Sequence, residues 1–523
     1  MSANNTEDLT DDWRNIGATS QELQLITPGL QVAYHPDPHM VGARLRFLNF
    51  GDRAEVRVSR LEGSFRQRHW EQGRPLNVSR LSRSPLTFIP QGRDDVRLTF
   101  DPARCEVDLA GSTIQPDTVF TRRELADGLL LFVNRSVGLV LQLMGKPRAM
   151  DEDDYGLIGE SLVLDELRRQ LGLAMASRDA ILLLGASGTG KELVARAIHQ
   201  GGGDSEHPFI GVNMATIPSE LAASELFGHE KGAFSGAKTA KVGLFRQARS
   251  GTLFLDEVGD ASFAVQTALL RALETREVRP VGATGTLKVD CRFIAATDVD
   301  IHGSEEFKSA LVSRLGIELA LPPLLKRRDD IPILFHYFLE EALGSESYAD
   351  LLVPGEKEPW LPAWVIDVLF RYAWPRNVRE LRNVSREIAF LSGTRPFQPG
   401  PMLLRIRDAV HGSVGAGVES PEKKSTEGGR TYNPPSSVDE DTLRRVLREK
   451  SFGISAAARE LGLSQQSMYR ALDEHGILYA RQLSREQFIA HFLEHDRNIR
   501  AMSEALEVSE RALKLRKSDL GID

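Results

Sequence analysis

Ile181-Leu-Leu-Leu-Gly185-Ala-Ser-Gly-Thr-Gly-Lys191 decides how this chain is read. Four apolar residues form a strand of the kind a sheet buries on both faces, and a glycine-rich turn follows at once. A helix opens at Glu192. Strand, G-x-x-x-x-G-K and helix, in that order, are the context of a phosphate-binding loop. The glycines let the backbone wrap an anion, which the loop N–H groups and the helix N-terminus then bind. Lys191 adds a point charge for the β- and γ-phosphates. We therefore assign Gly185, Ala186, Ser187, Gly188, Thr189, Gly190, Lys191 and Glu192 to binding ATP with Mg2+. Glu192 stands where a Ser or Thr usually helps hold the metal, which shifts the metal's protein ligation toward Asp256.

Asp256-Glu257 ends the apolar strand Thr252-Leu-Phe-Leu, about 70 residues after Gly185. A strand that delivers two carboxylates is the second half of such a site. Asp256 is the expected metal ligand, and Glu257 is placed to orient or polarise the attacking water.

The chain has 523 residues, more than one core accommodates when domains run to roughly 100–200 residues each. Its composition, 41% hydrophobic and 26% charged, is that of an ordinary globular protein. No apolar run of about 18 residues is present, so no membrane span is expected, and the acidic start MSANNTEDLTDDW is unlike a secretory signal. Cys105 and Cys291 lack metal-ligand spacing and read as unpaired thiols of a reducing cytoplasm. The net charge of −8 argues against a chain coated in nucleic acid but leaves room for a small DNA-binding module.

Residues 1–20 read as a disordered acidic tail. From 21 to 150, short apolar runs such as Ala43–Phe50, Leu86–Ile89, Val107–Leu109 and Val137–Leu143 alternate with polar turns, and a β-rich domain is expected. Strands and helices then alternate over 155–326, Arg292–Ala296 being a further buried strand, and helical signals dominate 327–409. Residues 410–437 form a linker, with thirteen Gly, Ser or Pro among the 27 residues from His411 to Ser437. The remainder is helical and repeats itself. Shifted by 45 residues, 438–477 aligns with 483–522, setting Leu443 on Phe488, Ile454 on Ile499, Ala456 on Ala501, Leu461 on Leu506 and Ser464 on Ser509.

Gly232-Ala-Phe-Ser-Gly-Ala237, preceded by Glu225-Leu-Phe-Gly-His-Glu-Lys231, resembles the GAFTGA loop of bacterial enhancer-binding proteins. These are AAA+ ATPases that activate sigma-54 RNA polymerase. The similarity runs from about Leu157 to Leu404. It implies that Gly232, Ala233, Phe234, Ser235, Gly236 and Ala237 contact sigma-54, with Phe234 at the tip and Ser235 keeping the hydroxyl of the usual Thr. It further implies a nucleotide contact at Ile158, a switch Asn213 that pairs with the catalytic Glu257, a sensor Thr297 and a second sensor Arg379. Arg314 corresponds to an arginine finger acting across a subunit boundary, hence a ring, a hexamer by analogy, formed from a resting dimer. The chain departs from the pattern at Asp298, commonly Asn, at Arg376, usually Gly, and at Lys308, where the first finger arginine stands. Lysine cannot make the forked contact of a guanidinium.

Ile454-Ser-Ala-Ala-Ala-Arg-Glu-Leu-Gly-Leu-Ser-Gln-Gln-Ser-Met-Tyr-Arg470 is similar to Fis-type helix-turn-helix domains. A short helix stops at Gly462, and Ser464 caps a second helix suited to the major groove. Ser464, Gln465, Gln466, Ser467, Tyr469 and Arg470 become the DNA-facing set of a module spanning 438–478. The second unit, 479–523, offers Arg511, Lys514, Arg516 and Lys517 to phosphates, although Glu507 stands where the turn glycine would be. The β-rich domain resembles a forkhead-associated domain, which would make Arg60, Ser82 and Arg83 a phosphothreonine site facing a phosphoprotein partner. An interaction sandwich that binds no phosphate is the alternative.

These readings give a multidomain chain: an N-terminal β-sandwich, a central α/β AAA+ P-loop domain with a helical lid, and an all-α C-terminus of tandem helix-turn-helix units. The expected function is ATP-driven activation of sigma-54 polymerase from enhancer DNA. The alternatives are a DNA-binding regulator with a weak or vestigial ATPase and an AAA+ remodeller of another substrate.

Overall fold

The computed structural model describes residues 26–412, apart from 49–53, 92–94, 149–151, 300–308, 346, 349–358 and 394–395, and parts of 440–517. The expected tail at 1–20 and most of the linker lie outside the described residues. Two compact units divide near residue 415.

The first unit begins with ten strands: β1 (Thr27–Tyr34), β2 (Arg44–Arg46), β3 (Val56–Val58), β4 (Leu86–Gln91), β5 (Asp95–Thr99), β6 (Val107–Leu109), β7 (Ser112–Thr113), β8 (Thr118–Phe120), β9 (Leu129–Val133) and β10 (Val137–Met144). They form a six-stranded sheet, β2-β1-β10-β9-β6-β7, and a four-stranded sheet, β3-β4-β5-β8, antiparallel throughout. One apolar core lies between them, with Leu30, Leu131 and Leu139 from one sheet against Phe88, Val96 and Leu98 from the other. A short α-helix, Arg122–Asp127, interrupts the strands. Its start is a capping box in which Thr121 and Glu124 satisfy each other's backbone N–H groups.

Side chains alternate across a strand, so neighbours on β9 and β10 point to opposite faces. Leu131, Leu139 and Leu141 enter the sandwich core. Leu130, Phe132 and Val140 point the other way and join a second core, that of the helices following residue 329.

The central part carries β11 (Ile181–Leu184), β12 (Phe209–Asn213), β13 (Gly228–His229), β14 (Lys241–Val242), β15 (Thr252–Asp256), β16 (Glu277–Val278), β17 (Leu287–Lys288), β18 (Arg292–Thr297) and β19 (Ile317–Ala320). Five of these make a parallel sheet in the order β12-β15-β18-β11-β19. Leu164, Leu171 and Ile198 cover one face and Ala222, Val265 and Leu269 the other. Because β11 sits between β18 and β19, its C-terminal end opens a crevice, the usual ligand position of such sheets.

The lid follows, with helices at Asp330–Leu343, Ala363–Arg371, Asn377–Ser392 and Pro401–Gly412 among the described residues. Their core holds Phe335, Leu339, Val365, Leu369, Leu381 and Ile388. The last helix runs past the expected linker start at 410, because Ile406 and Val410 are buried in that core.

The second unit shows helices at Glu440–Glu449, Arg485–Glu494 and Ile499–Leu506. Its described residues form two separate small cores. One contains Leu443, Leu447, Ala457 and Met468, and the other Phe488, Phe492, Met502 and Leu513. Each pair is related by the 45-residue shift of the sequence repeat.

Candidate active site

The crevice beyond β11 is built from the backbone outward. Gly188 and Gly190 have φ of +81° and +107°, the left-handed region that glycine enters freely. A Cβ at Gly188 would lie 2.2 Å from the carbonyl oxygen of Arg376 in the lid, so the turn must be bare there. Lys191 begins the helix Lys191–His199 and is 7% exposed. Its ammonium donates to the Gly185 carbonyl at 2.9 Å and lies 3.7 Å from Glu257. Glu192 turns away and pairs with Arg196 at 2.7 Å, on the exposed side of the helix.

Asp256 closes β15 and its Oδ1 accepts from the Glu257 amide at 3.1 Å. Glu257 is held at φ +52°, a position a non-glycine residue occupies only at a cost of order 1–3 kcal/mol. The turn aims its carboxylate at Lys191. Burial pushes that carboxyl above the usual range, Asp298 and Asp256 push it the same way, and Lys191 opposes them. A carboxylate raised toward neutrality is a better proton acceptor than an ordinary one.

Thr297, fully buried at the end of β18, stands beside Leu184 in register, and its carbonyl accepts from Gly185 N at 3.2 Å. Asn213 ends β12 opposite Asp256. Its Oδ1 accepts from Ala215 N at 2.9 Å and caps the turn Met214–Thr216; the atom that would donate to the Glu257 carboxylate is its Nδ2. From the lid, Arg379 donates to Ser187 Oγ at 3.3 Å. Ile158 is half-buried against the lid core. Arg314 lies at the surface, paired with Glu274 at 3.2 Å, and Lys308 lies outside the described residues.

Two residues the sequence did not single out complete the site. Asn377 is buried in the left-handed region at φ +50°; its amide donates to the Ser187 carbonyl and accepts from Leu324 N. Asp330 is fully buried and accepts from the amides of Glu160 and Ser161 and from the Ser161 hydroxyl. The only sequence signal for Asp330 is an acidic residue at a helix start, before Ile331-Pro332, and such residues are common for capping reasons alone.

Gly232–Ala237 forms a compact turn closed by Gly232 N to Ala237 O at 2.8 Å and Ala237 N to Phe234 O at 3.0 Å. Phe234 remains 41% exposed, its ring resting edge-on against His229 with centroids 5.0 Å apart. His229 lies in β13, held by Ser224 and by the Thr239 carbonyl. Ala233, Ser235 and Gly236 share this surface turn, and Ala237 is buried beneath it.

In the N-terminal sandwich, Arg60 N donates to Ser82 O at 3.1 Å, which brings those two residues together. The Ser82 hydroxyl already accepts from Ser84 N, and Arg83 is exposed. Of the expected DNA-facing residues, Ser464, Gln465, Gln466, Ser467, Tyr469, Arg470, Arg511, Lys514 and Arg516 lie outside the described residues. Lys517 is described, with its ammonium 4.9 Å from the centre of the Phe492 ring. Burial pushes the thiols up, Cys105 to about 11 and Cys291 to about 12, as inert unpaired cysteines require. Among the described residues no helix is long and apolar enough to cross a membrane.

A phosphate loop at the end of a parallel strand, a strand-borne Asp-Glu pair and a lid arginine on the loop define an AAA+ ATPase. Comparison with known proteins carries this further. Residues 157–319 match the Sigma-54 interaction domain, and residues 326–407 match the AAA+ ATPase lid domain. The chain is 38% identical over 328 residues to the response regulator protein PilR of Pseudomonas aeruginosa, covering 62% of this chain and 70% of that one. It is 36% identical over 323 residues to the transcriptional regulatory protein ZraR of Klebsiella oxytoca, covering 61% and 68%. A crystal structure of NtrX from Brucella abortus with ADP aligns at TM-score 0.41 and 26% identity, covering 71% of this chain and 70% of that one. The chain belongs to the sigma-54-dependent transcriptional regulators.

Proposed function

We propose that this protein opens sigma-54 promoters by turning ATP hydrolysis at the P-loop into movement of the Phe234 turn. The observation that carries this is the path from site to turn. Asn213, opposite Asp256, caps Met214–Thr216; the helix Ser219–Phe227 follows and runs directly into β13, where His229 carries the Phe234 ring. A change in the charge next to Asn213 therefore reaches Phe234 through one turn and one helix.

In the chemical step, Lys191 and the loop amides hold the phosphates while Glu257 orients water and takes up its proton as water's oxygen bonds to the γ-phosphorus and the bond to the β–γ bridging oxygen breaks, releasing ADP and phosphate. Asp256 is the oxygen ligand suited to Mg2+, which would neutralise phosphate charge when bound. Thr297 positions from the sheet and Arg379 from the lid. Arg314, exposed on one protomer, is suited to complete a neighbour's site in a ring, a hexamer by family analogy assembled from a dimer. Burial raises the Glu257 carboxyl above its usual range, Asp298 and Asp256 act the same way, and this suits it to accept the proton of the attacking water.

The paired cores of the second unit support a tandem helix-turn-helix reader of enhancer DNA, with Ser464, Gln465, Gln466, Ser467, Tyr469 and Arg470 in the groove and Arg511, Lys514, Arg516 and Lys517 on phosphates. The sandwich fits a forkhead-associated-like regulatory domain in which Arg60, Ser82 and Arg83 face a phosphorylated partner. A cytoplasmic location follows from such a role.

An ATP-dependent open-complex assay with sigma-54 holoenzyme tests the proposal. Glu257→Gln is expected to bind ATP and lose turnover by a factor of at least ~100. Phe234→Ala is expected to hydrolyse ATP normally and open no promoter. Normal opening by Phe234→Ala would remove the loop from the mechanism.

A further inference from the structure

An antiparallel sandwich commonly leaves its outer faces to water. Here the outer face of β1, β9 and β10 is apolar and covered. Ala33, Leu130, Phe132 and Val140 share one continuous core with Ile331, Phe335 and the helix Ala363–Arg371 of the lid. Polar contacts fix the seat. The Tyr34 hydroxyl donates to the Leu361 carbonyl at 2.8 Å, and the Gln31 amide donates to the Asp329 carbonyl at 2.6 Å. Arg44 pairs with Glu160 at 3.5 Å. The sheet therefore touches the lid and, through Glu160, the segment that enters the α/β part.

That seat lies beside the nucleotide machinery. Asp330, next to the residue Gln31 holds, binds the Glu160 and Ser161 amides, and Gly159 between Ile158 and Glu160 is pressed so closely that a Cβ would sit 2.4 Å from the Asp330 carboxylate. Ile158, assigned to the nucleotide, packs against the same apolar core as Tyr34 and Val140. At the other end of the lid, Asn377 and Arg379 reach Ser187.

We propose that the outer face of this sheet clamps the lid. While it is seated, Asn377 and Arg379 stay on the P-loop and nucleotide leaves slowly; a stimulus that lifts the sheet loosens the lid and speeds nucleotide release. Regulation would then act through nucleotide retention. A face that joins lid and entry segment couples them because both must move for the crevice to open. The inference rests on the P-loop being the nucleotide site, which binding of a fluorescent ADP analogue to the unaltered chain tests separately.

The experiment measures release of that analogue from the full chain, with hydrogen exchange in Ala363–Arg371 as the report of seating. Leu130→Asp/Val140→Asp is expected to speed exchange there and to speed release by roughly tenfold or more, since burying unpaired charge costs more than the ~1.4 kcal/mol a tenfold change represents. Tyr34→Phe keeps the ring and removes one hydrogen bond, so it stays folded, and release roughly threefold faster is expected. Faster exchange with unaltered release overturns the clamp. Unaltered exchange in the double variant overturns the seating itself. If the double variant does not fold, unaltered release from Tyr34→Phe overturns the proposal alone.

Discussion

Two regions of this molecule bury strands on both faces, and they do so differently. In the parallel sheet, β11 and β18 lie between helices from the same stretch of chain, such as Leu162–Ala176 and Phe263–Thr275. In the sandwich, β9 and β10 are covered on one side by their own domain and on the other by lid helices some 200 residues further on. In sequence the two look alike: an apolar run such as Ile181–Leu184 and one such as Val137–Leu143. A run states that both faces are covered; it does not state by what. Where the cover is local, the fold follows from the pattern. Where it is distant, only the structure supplies it.

The sharpest way to break this contrast is a charge on each kind of strand. Leu182→Asp puts an unpaired carboxylate between covers that have nowhere else to go, and loss of the folded ATPase is expected, by more than ~4 kcal/mol, read as absent ATP turnover and a collapsed melting transition. A soluble, active variant would show that the parallel sheet is less tightly determined than its pattern suggests.

A milder test separates the two faces of one strand. Leu139 and Val140 are adjacent and fully buried but belong to different cores. Leu139→Ala is expected to cost roughly 2–5 kcal/mol and to lower the melting temperature of the sandwich. Val140→Ala removes less, roughly 1.5 kcal/mol of burial, and should leave the sandwich intact while loosening Ala363–Arg371 in hydrogen exchange. Equal loosening of the lid by both would mean that the faces are not independent.

The smallest expected effect concerns the lid itself. His336 sits against Tyr348, with Nδ1 and the hydroxyl 2.6 Å apart, and burial pushes its pKa down to about 4. Between that value and the ordinary 6.5 the unfolded chain binds a proton that the folded one does not, so stability rises with pH across this window and is lost on acidification. Thermal melts at pH 7 and pH 5 should show the lid weakened at the lower value, and His336→Phe should flatten the difference. An unchanged gap between the two pH values in His336→Phe would assign the sensitivity elsewhere.

Much of the ATP site was legible because its chemistry is written in contiguous residues. Gly188 and Gly190 must turn, Lys191 must follow them, and Asp256-Glu257 must end a strand. The structure adds contacts that the motif does not state: the Glu192 carboxylate pairs with Arg196 one turn away, and Asn213 Oδ1 caps the turn that follows it. Asn377 and Asp330 escaped notice because their roles exist only once lid and P-loop, or lid and entry segment, have met. The C-terminal repeat was readable from spacing alone, and its buried pairs Ala457 with Met502 and Met468 with Leu513 extend the register already visible at Leu443 and Phe488.

The shared core of sheet and lid also bears on how such a protein can be inherited. A boundary near residue 150 looks like a place to cut, and a motor could in principle be joined there to any sensor. Yet a motor severed at that point would carry an oily scar around Phe335 and Phe370, and a foreign sensor would have to arrive with a matching face. The sandwich and the lid of this chain are therefore expected to change together, each substitution at Leu130, Phe132 or Val140 answered by one on the lid.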